Sequence, residues 1–358
     1  MKPVVLFNSD LSGGAGSFIL TLARALHTRG IETHIVIYRS RIDYPLPEGI
    51  GFHLLENDTG NGIEEALKRT LGEIGPVAGV FSNSTPANKI LSKIKYPRSY
   101  HIVHSAETKH YTGWAAPFKR ALRRKKYRHL YSGKDLITVS TGLERYILEE
   151  LKATPRSIRT LYNPFDFESI RSLADQCGEA IPRTPFLLHV GRLDMTQKRH
   201  DILLEAYKKA NPAQKLVILG QGEDEEKIRK LIEELELDDR VLMPGFSANP
   251  YAWIARADLL ILSSDFEGFG RVLVEALALE TAVVSTRCPV GPSEILRGDL
   301  SDFLVPVGDS DALARQIRRA LESYPSLKRI DLSRFDSRTI AETFFHMLHF
   351  NEGEMSIQ

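Results

Sequence analysis

Three short stretches of this sequence carry residue types suited to anion and sugar chemistry. The densest is Glu267-Gly268-Phe269-Gly270-Arg271-Val272-Leu273-Val274-Glu275, where two glutamates eight positions apart bracket a glycine-rich turn that opens an apolar helix. A turn through Gly268 and Gly270 aims the first N–H groups of a Val272–Leu279 helix at one point, which makes an anion pocket. Glu267, in the loop, can accept hydrogen bonds from sugar hydroxyls. Glu275, one turn into the helix, offers a bidentate acceptor to the two hydroxyls of a ribose. A carboxylate among Val272, Leu273, Val274, Ala276 and Leu277 is costly unless paired, which favours a functional role over a solvated face.

The second stretch is Gly191-Arg192-Leu193 with Lys198 close behind. Fixed positive charge at the carboxyl edge of a sheet can neutralise a diphosphate leaving group. Two solvated surface cations are the plain alternative. The third is Ser12-Gly13-Gly14-Ala15-Gly16-Ser17, read as lying between the first strand and the first helix. Glycines let a backbone approach a ligand, and a helix start offers free N–H groups, although an ordinary strand–helix turn uses glycine too. The spacing is not GxGxxG, and Glu32 opens the second strand, so no acidic residue closes it. Both features count against a dinucleotide site.

The elements that must hold these residues alternate along the chain. Pro3–Phe7, Glu32–Tyr38, Val77–Phe81, Ser99–Val103 and Leu136–Val139 read as strands, several of them continuous apolar runs that suit a parallel sheet buried on both faces. Ile19, Leu22, Ala23 and Leu26 form one face of a helix that Gly30 closes. A polar stretch around Asp166–Arg183 interrupts the pattern, which puts a linker near Asn163–Pro185. Strands at Phe186–Val190, Lys215–Leu219, Val241–Met243, Asp258–Leu262 and Thr281–Ser285 follow, with helices near His200–Ala210, Asp224–Glu236 and Val272–Leu279. Two such series predict two doubly wound α/β domains, whose ligands bind at the carboxyl ends of the strands.

Taken in order, these motifs resemble those of the large retaining glycosyltransferase family often called family 4, which has the GT-B fold. EGFGRVLVE carries the E-x7-E element. SGGAG, NPFD, HVGRLDMTQK, LVILGQGED, ADLLILSSDFEGFG and GPSEIL fall in the family's order and spacing, so the resemblance covers essentially the whole chain. It implies two facing Rossmann-like domains: residues 1–165 for the acceptor and 166–334 for the nucleotide-sugar donor. A C-terminal helix, about 335–358, would cross back to complete the first, with Ile340, Phe344, Met347 and Leu348 at helical spacing.

The resemblance also implies roles. Gly13 and Gly14 contact the donor phosphates or the acceptor, and Arg192 and Lys198 bind the diphosphate. Glu267 contacts the donor sugar and Glu275 the ribose. The backbone of Gly268, Phe269, Gly270, Arg271, Val272 and Leu273 faces the phosphates and sugar, and the base rests near Gly245–Phe246. A histidine ending a late strand of the first domain belongs to the pattern; His104 fits best, with His101 and His110 as rivals. The family's first loop often reads GGAE, where this chain has Gly16 and Ser17.

The implied reaction moves a sugar, with retention, from a nucleotide-diphosphate sugar to a saccharide or lipid-linked glycan. The setting is the synthesis of cell-surface polysaccharide or lipopolysaccharide. UDP is favoured as the family's commoner donor nucleotide. A nucleotide-sugar epimerase and a catalytically silent sugar-nucleotide-binding module share the architecture; an oxidoreductase is the weakest rival. No Asp-x-Asp element ends a strand and no His/Cys cluster has ligand spacing, so no cofactor and no obligatory metal are expected.

From Lys109 to Lys134 there is no acidic residue, while Lys119, Arg120, Arg123, Arg124, Lys125, Lys126 and Arg128 crowd together among Trp114, Phe118, Leu122, Tyr127, Leu130 and Tyr131. Such a basic amphipathic segment suits an anionic membrane surface or a phosphorylated acceptor. A solvated helix is the plain alternative. The formal net charge of +1 offsets the cluster and argues against nucleic acid. A hydrophobic fraction of 42% and a charged fraction of 26% suit a soluble globular protein. Two cysteines, Cys177 and Cys288, make no disulfide framework, and MKPVVLF is too short a run for a signal-peptide core. The expected location is the cytoplasm, at the inner face of the plasma membrane.

Overall fold

The computed structural model describes residues 2–55, 62–105, 116–176, 181–328 and 330–353. The chain forms two compact units. One comprises residues 1–106, 111–166 and 333–358; the other comprises 107–110 and 167–332.

The first unit is built on a seven-stranded sheet of β1 (Val4–Asn8), β2 (Thr33–Ile37), β3 (Gly51–Leu54), β4 (Gly79–Ser82), β5 (Ser99–Val103), β6 (Asp135–Thr138) and β7 (Ser157–Thr160), in the order β3-β2-β1-β4-β5-β6-β7. Every pairing is parallel. β1 is buried at all five positions, as its unbroken apolar run requires. β3 and β7, at the two edges, were not expected from the sequence: their burial alternates along short segments, GFHL and SIRT, so neither shows the apolar run of a central strand. The chain's last helix, Ser337–Gly353, belongs to this unit. Phe344 meets Phe81 of β4 with ring centroids 4.6 Å apart, and Ile340 and Ala341 are buried with it.

The second unit carries β8 (Phe186–Val190), β9 (Lys215–Leu219), β10 (Val241–Gly245), β11 (Leu259–Leu262), β12 (Ala282–Thr286) and β13 (Leu304–Val305), in the order β10-β9-β8-β11-β12-β13. All of these pairings are parallel as well. In both sheets the strand order reverses beside the first strand, β1 or β8, so the carboxyl ends of β1 with β4 and of β8 with β11 mark the ligand-binding positions of such sheets.

Two readings of the sequence need correction. The segment read as a polar linker contains a helix, Phe167–Ala174, which buries Phe167, Ile170 and Ala174 on one face; the polar residues between them hid that spacing. The glycines of Ser12–Ser17 are not a loop before a helix either. The helix begins at Gly13 and runs to Thr28, so they form its first turn. Gly16 belongs there for packing: a Cβ at that position would lie 2.4 Å from the Leu11 carbonyl carbon.

Candidate functional site

At the carboxyl end of β8 the chain turns through Gly191, Arg192 and Leu193, and Asp194 then caps a short helix, Met195–Lys198. Its Oδ1 accepts from the N–H groups of Thr196 and Gln197 at 2.9 and 3.0 Å. This turn is tied to the loop that follows β11. Gln197 donates to the Phe266 carbonyl at 3.1 Å, the Asp265 N–H to the Gln197 carbonyl at 2.9 Å, and the Ser263 hydroxyl to the Lys198 carbonyl at 2.7 Å. Arg199 adds a charged clasp, with Nη1 at 2.8 Å from both oxygens of Asp265 and its other nitrogens on Asp201. Those carboxylates, Asp201 first, drive the Arg199 pKa further up.

The clasp brings together Lys198 and Glu267, which the sequence offers in two separate motifs. Lys198 Nζ donates to Glu267 Oε1 at 2.6 Å, and the Ser264 hydroxyl donates to the same oxygen at 2.7 Å. The side chains are 14% and 10% exposed, so this is a largely dry ion pair. Oε2 has no partner among the described residues. Arg192 is exposed, and its guanidinium has no ion pair or hydrogen bond among the described residues. Phe246, just past β10, is 54% exposed.

Past Glu267 the loop runs through Gly268, Phe269 and Gly270 into the helix Arg271–Ala278. Phe269, Val272 and Leu273 are buried, so only their backbone groups are available to a ligand, and the Leu273 N–H is bonded to the Gly270 carbonyl at 3.0 Å. Glu275 lies 3.7 Å from Arg271. Burial raises its pKa, and Arg271 opposes the shift. Behind Lys198 stand two buried imidazoles, His189 and His200, with centroids 4.9 Å apart. Burial first lowers both, with Lys198 adding to the shift, His200 to about 4, so both are neutral at pH 7.

The loops are held by backbone packed on backbone. A Cβ on Gly220 would lie 1.8 Å from the Gly191 carbonyl oxygen, one on Gly222 2.3 Å from that of Leu193, and one on Gly291 2.3 Å from that of Phe269. Glycine at these positions lets the segments that follow β9 and β12 brace the loops that follow β8 and β11.

In the first unit, the Gly13 N–H donates to Asp43 Oδ2 at 3.2 Å and its carbonyl accepts from Tyr44 at 3.3 Å. Asp10 Oδ1 accepts from the Ser12 N–H at 3.0 Å. Carboxylates of the chain itself thus meet the positive end of this helix. Gly14 is exposed. Of the three histidines considered, His101 lies inside the sheet, bonded to Ser82 Oγ at 3.1 Å and pushed down to about 4 by burial. His104 stands at the sheet edge, with Nε2 at 2.6 Å from Asn83 Oδ1; His110 lies outside the described residues.

The basic segment forms a helix, Ala116–Tyr131. Tyr127 and Tyr131 are buried, Arg128 Nε donates to the Leu151 carbonyl at 2.8 Å, Arg124 pairs with Glu150 at 3.3 Å, and Arg123 lies over the Tyr127 ring. Phe118 and Leu122 are 74% and 60% exposed. Lys119, Lys125 and Lys126 are exposed and have no ion-pair partner among the described residues. The side chain of Arg120 and all of Trp114 lie outside the described set. Among the described residues, no group of His, Cys, Asp and Glu is arranged to hold a metal ion, and no helix is long and apolar enough to cross a membrane.

The sequence reading missed Ser264, the Arg199–Asp265 clasp, Asp43 and Asn83. Ser264 alone left a signal, three positions before Glu267.

Residues 177–332 match the family described as Glycosyl transferases group 1. Over 326 residues, 87% of each chain, the protein is 30% identical to a Campylobacter jejuni enzyme, N-acetylgalactosamine-N,N'-diacetylbacillosaminyl-diphospho-undecaprenol 4-alpha-N-acetylgalactosaminyltransferase. It is 31% identical over 178 residues, 48% of each chain, to the lipopolysaccharide 1,6-galactosyltransferase of Escherichia coli. Among solved structures, Anabaena HepE in complex with UDP and glucose matches 98% of this chain and 100% of its own, with a TM-score of 0.76 at 18% identity. That likeness bears out the GT-B fold.

Proposed function

The chain belongs to the glycosyl transferases group 1 family and is a glycosyltransferase that uses a nucleotide sugar; from that premise we propose that it transfers a sugar from a UDP-sugar, with retention, to a saccharide or lipid-linked glycan of cell-surface polysaccharide or lipopolysaccharide. The observation that carries this reading is the Lys198–Glu267 pair at the carboxyl ends of β8 and β11, with Arg192 exposed on the same loop as Lys198. The named activities of the Campylobacter and E. coli relatives support the acceptor class, and the UDP in HepE supports the nucleotide.

In this reading the bond between the sugar's anomeric carbon and the diphosphate oxygen breaks, and its electron pair stays with the phosphate. Arg192, Lys198 and the first turn of the Arg271–Ala278 helix stabilise that charge. The acceptor hydroxyl attacks on the same face, and its proton passes to the departing phosphate oxygen. Glu267 Oε2 accepts a hydroxyl of the donor sugar, Glu275 holds the ribose, and Phe246 lies against the base. Cationic side chains supply the charge that the leaving group needs, so the scheme calls for no bound metal. Saturating UDP is expected to raise thermal stability more than GDP or NAD does, by RT ln(1 + [L]/Kd), about 2.7 kcal/mol at a hundredfold excess. A chain stabilised by NAD and indifferent to UDP would sink the proposal.

The proposal includes peripheral contact with the anionic inner face of the plasma membrane through the Ala116–Tyr131 helix. Arg124 and Arg128 hold the helix to its own unit, while Phe118 and Leu122 are exposed on the same helix as Lys119, Lys125 and Lys126, which have no ion-pair partner among the described residues. Each cation near such a surface contributes about 1 kcal/mol, so three suffice for reversible docking. The chain is expected to sediment with phosphatidylglycerol vesicles and not with phosphatidylcholine vesicles, and the Phe118→Ser/Leu122→Ser variant to remain in the supernatant. Equal partition between the two vesicle types would remove the membrane from the reading.

A further inference from the structure

We propose that Asn83 is a positioning residue: it fixes His104 as the Nε2–H tautomer and leaves Nδ1 as the nitrogen that accepts a hydrogen bond or proton. Asn83 follows β4 and His104 follows β5, and these strands are neighbours, so both residues emerge at the same sheet edge. Asn83 is 0% exposed, and its own N–H donates to the Phe7 carbonyl at 2.9 Å, which sets its backbone at the end of β1.

The orientation of its side chain follows from its partners. Asn83 Nδ2 donates to the Ala15 carbonyl at 3.0 Å, and a carbonyl can only accept. The amide oxygen is therefore the atom that faces His104 Nε2 at 2.6 Å, and it too can only accept. Nε2 must carry the hydrogen between them. In the neutral ring the lone pair then sits on Nδ1. The opposite tautomer would set a nitrogen lone pair against an oxygen lone pair at this distance, on the oxygen of a fully buried Asn83. Phe18 stands edge-on to the imidazole, with centroids 4.8 Å apart and planes at 82°, and backs the ring in this orientation.

Only an amide of this length serves both partners. An aspartate would still accept from His104 but would turn its second oxygen on the Ala15 carbonyl, and an alanine would serve neither. Because Ala15 lies in the first turn of the Gly13–Thr28 helix, the same amide also ties the imidazole to the glycine turn. A neutral His104 so held has no hydrogen on Nδ1 to offer a phosphate oxygen. That consequence rests on the transferase reading, whereas the tautomer does not.

The test is nitrogen NMR on the full-length chain with 15N-labelled imidazoles at about pH 9, where an ordinary histidine is neutral. The His104 signals are assigned by their loss in His104→Gln. A single Nε2–H form is expected in the wild type and in Asn83→Asp, with a second, Nδ1–H form appearing in Asn83→Ala. A wild-type ring protonated on Nδ1, or an Asn83→Ala variant that keeps the Nε2–H form alone, overturns the proposal. The wild-type spectrum decides even where a variant fails to fold. A chain with the expected tautomers that transfers no sugar supports this inference while sinking the transferase reading, so the two failures are separable.

Discussion

Lys198→Ala is expected to lower stability by about 3–5 kcal/mol, because it leaves Glu267 as an unpaired charge in a largely dry site. The carboxylate would keep only the Ser264 hydroxyl on Oε1, at 2.7 Å, against an ammonium at 2.6 Å in the intact protein. Removing the charge as well should recover most of the loss, so Lys198→Met combined with Glu267→Gln is expected to unfold within about 1 kcal/mol of the wild type. Neither variant should transfer sugar. Denaturant unfolding with an unchanged slope measures the first effect, and product formation the second. A Lys198→Ala chain as stable as the wild type would mean that the ion pair is not formed in solution.

Arg192→Ala should do the reverse. Its exposed guanidinium makes no bond among the described residues, so stability should change by no more than about 0.5 kcal/mol. Turnover, by contrast, should fall about 10²–10³-fold, the usual loss when one electrostatic donor to developing charge is removed. The same assay with a metal chelator should leave wild-type turnover unchanged. Near-normal turnover in Arg192→Ala would remove this residue from the leaving-group site, and chelator sensitivity would return a metal to the mechanism. Together the two substitutions separate a residue that both builds and serves the site from one that only serves it.

The motifs show in the sequence because they are local. Glu267, Glu275, Arg192 and Lys198 sit in short segments of fixed spacing, and β8, β9, β11 and β12 are apolar runs buried on both faces. What could not be read is what the topology brings together. Arg199 and Asp265 are 66 residues apart, and Asn83 and Ala15 are 68 apart; no periodicity links them before the strands are ordered. The glycines of LVILGQGED and GPSEIL are plain in the sequence, but their reason is a neighbouring carbonyl that only the folded loops supply. The sequence likewise gave Lys198 to a diphosphate and Glu267 to a sugar, without the bond between them. In the proposed mode a ligand therefore meets a Lys198–Glu267 pair already formed, with Arg192 as a cation on the same loop that has no partner among the described residues.

The helix Ser337–Gly353 gives the chain an order of assembly. Phe344 and Ile340 fill the core beside β4, yet they are synthesised after Phe167–Leu332, the stretch that makes up most of the second unit. Domains generally form as units during synthesis, with the earlier part first. Here β1–β7 are made before the second unit yet completed after it: a nascent chain stopped before Ser337 carries all the strands of the second unit and a first unit with an open apolar face. A stop before Ser337 would thus injure the unit that carries β1–β7.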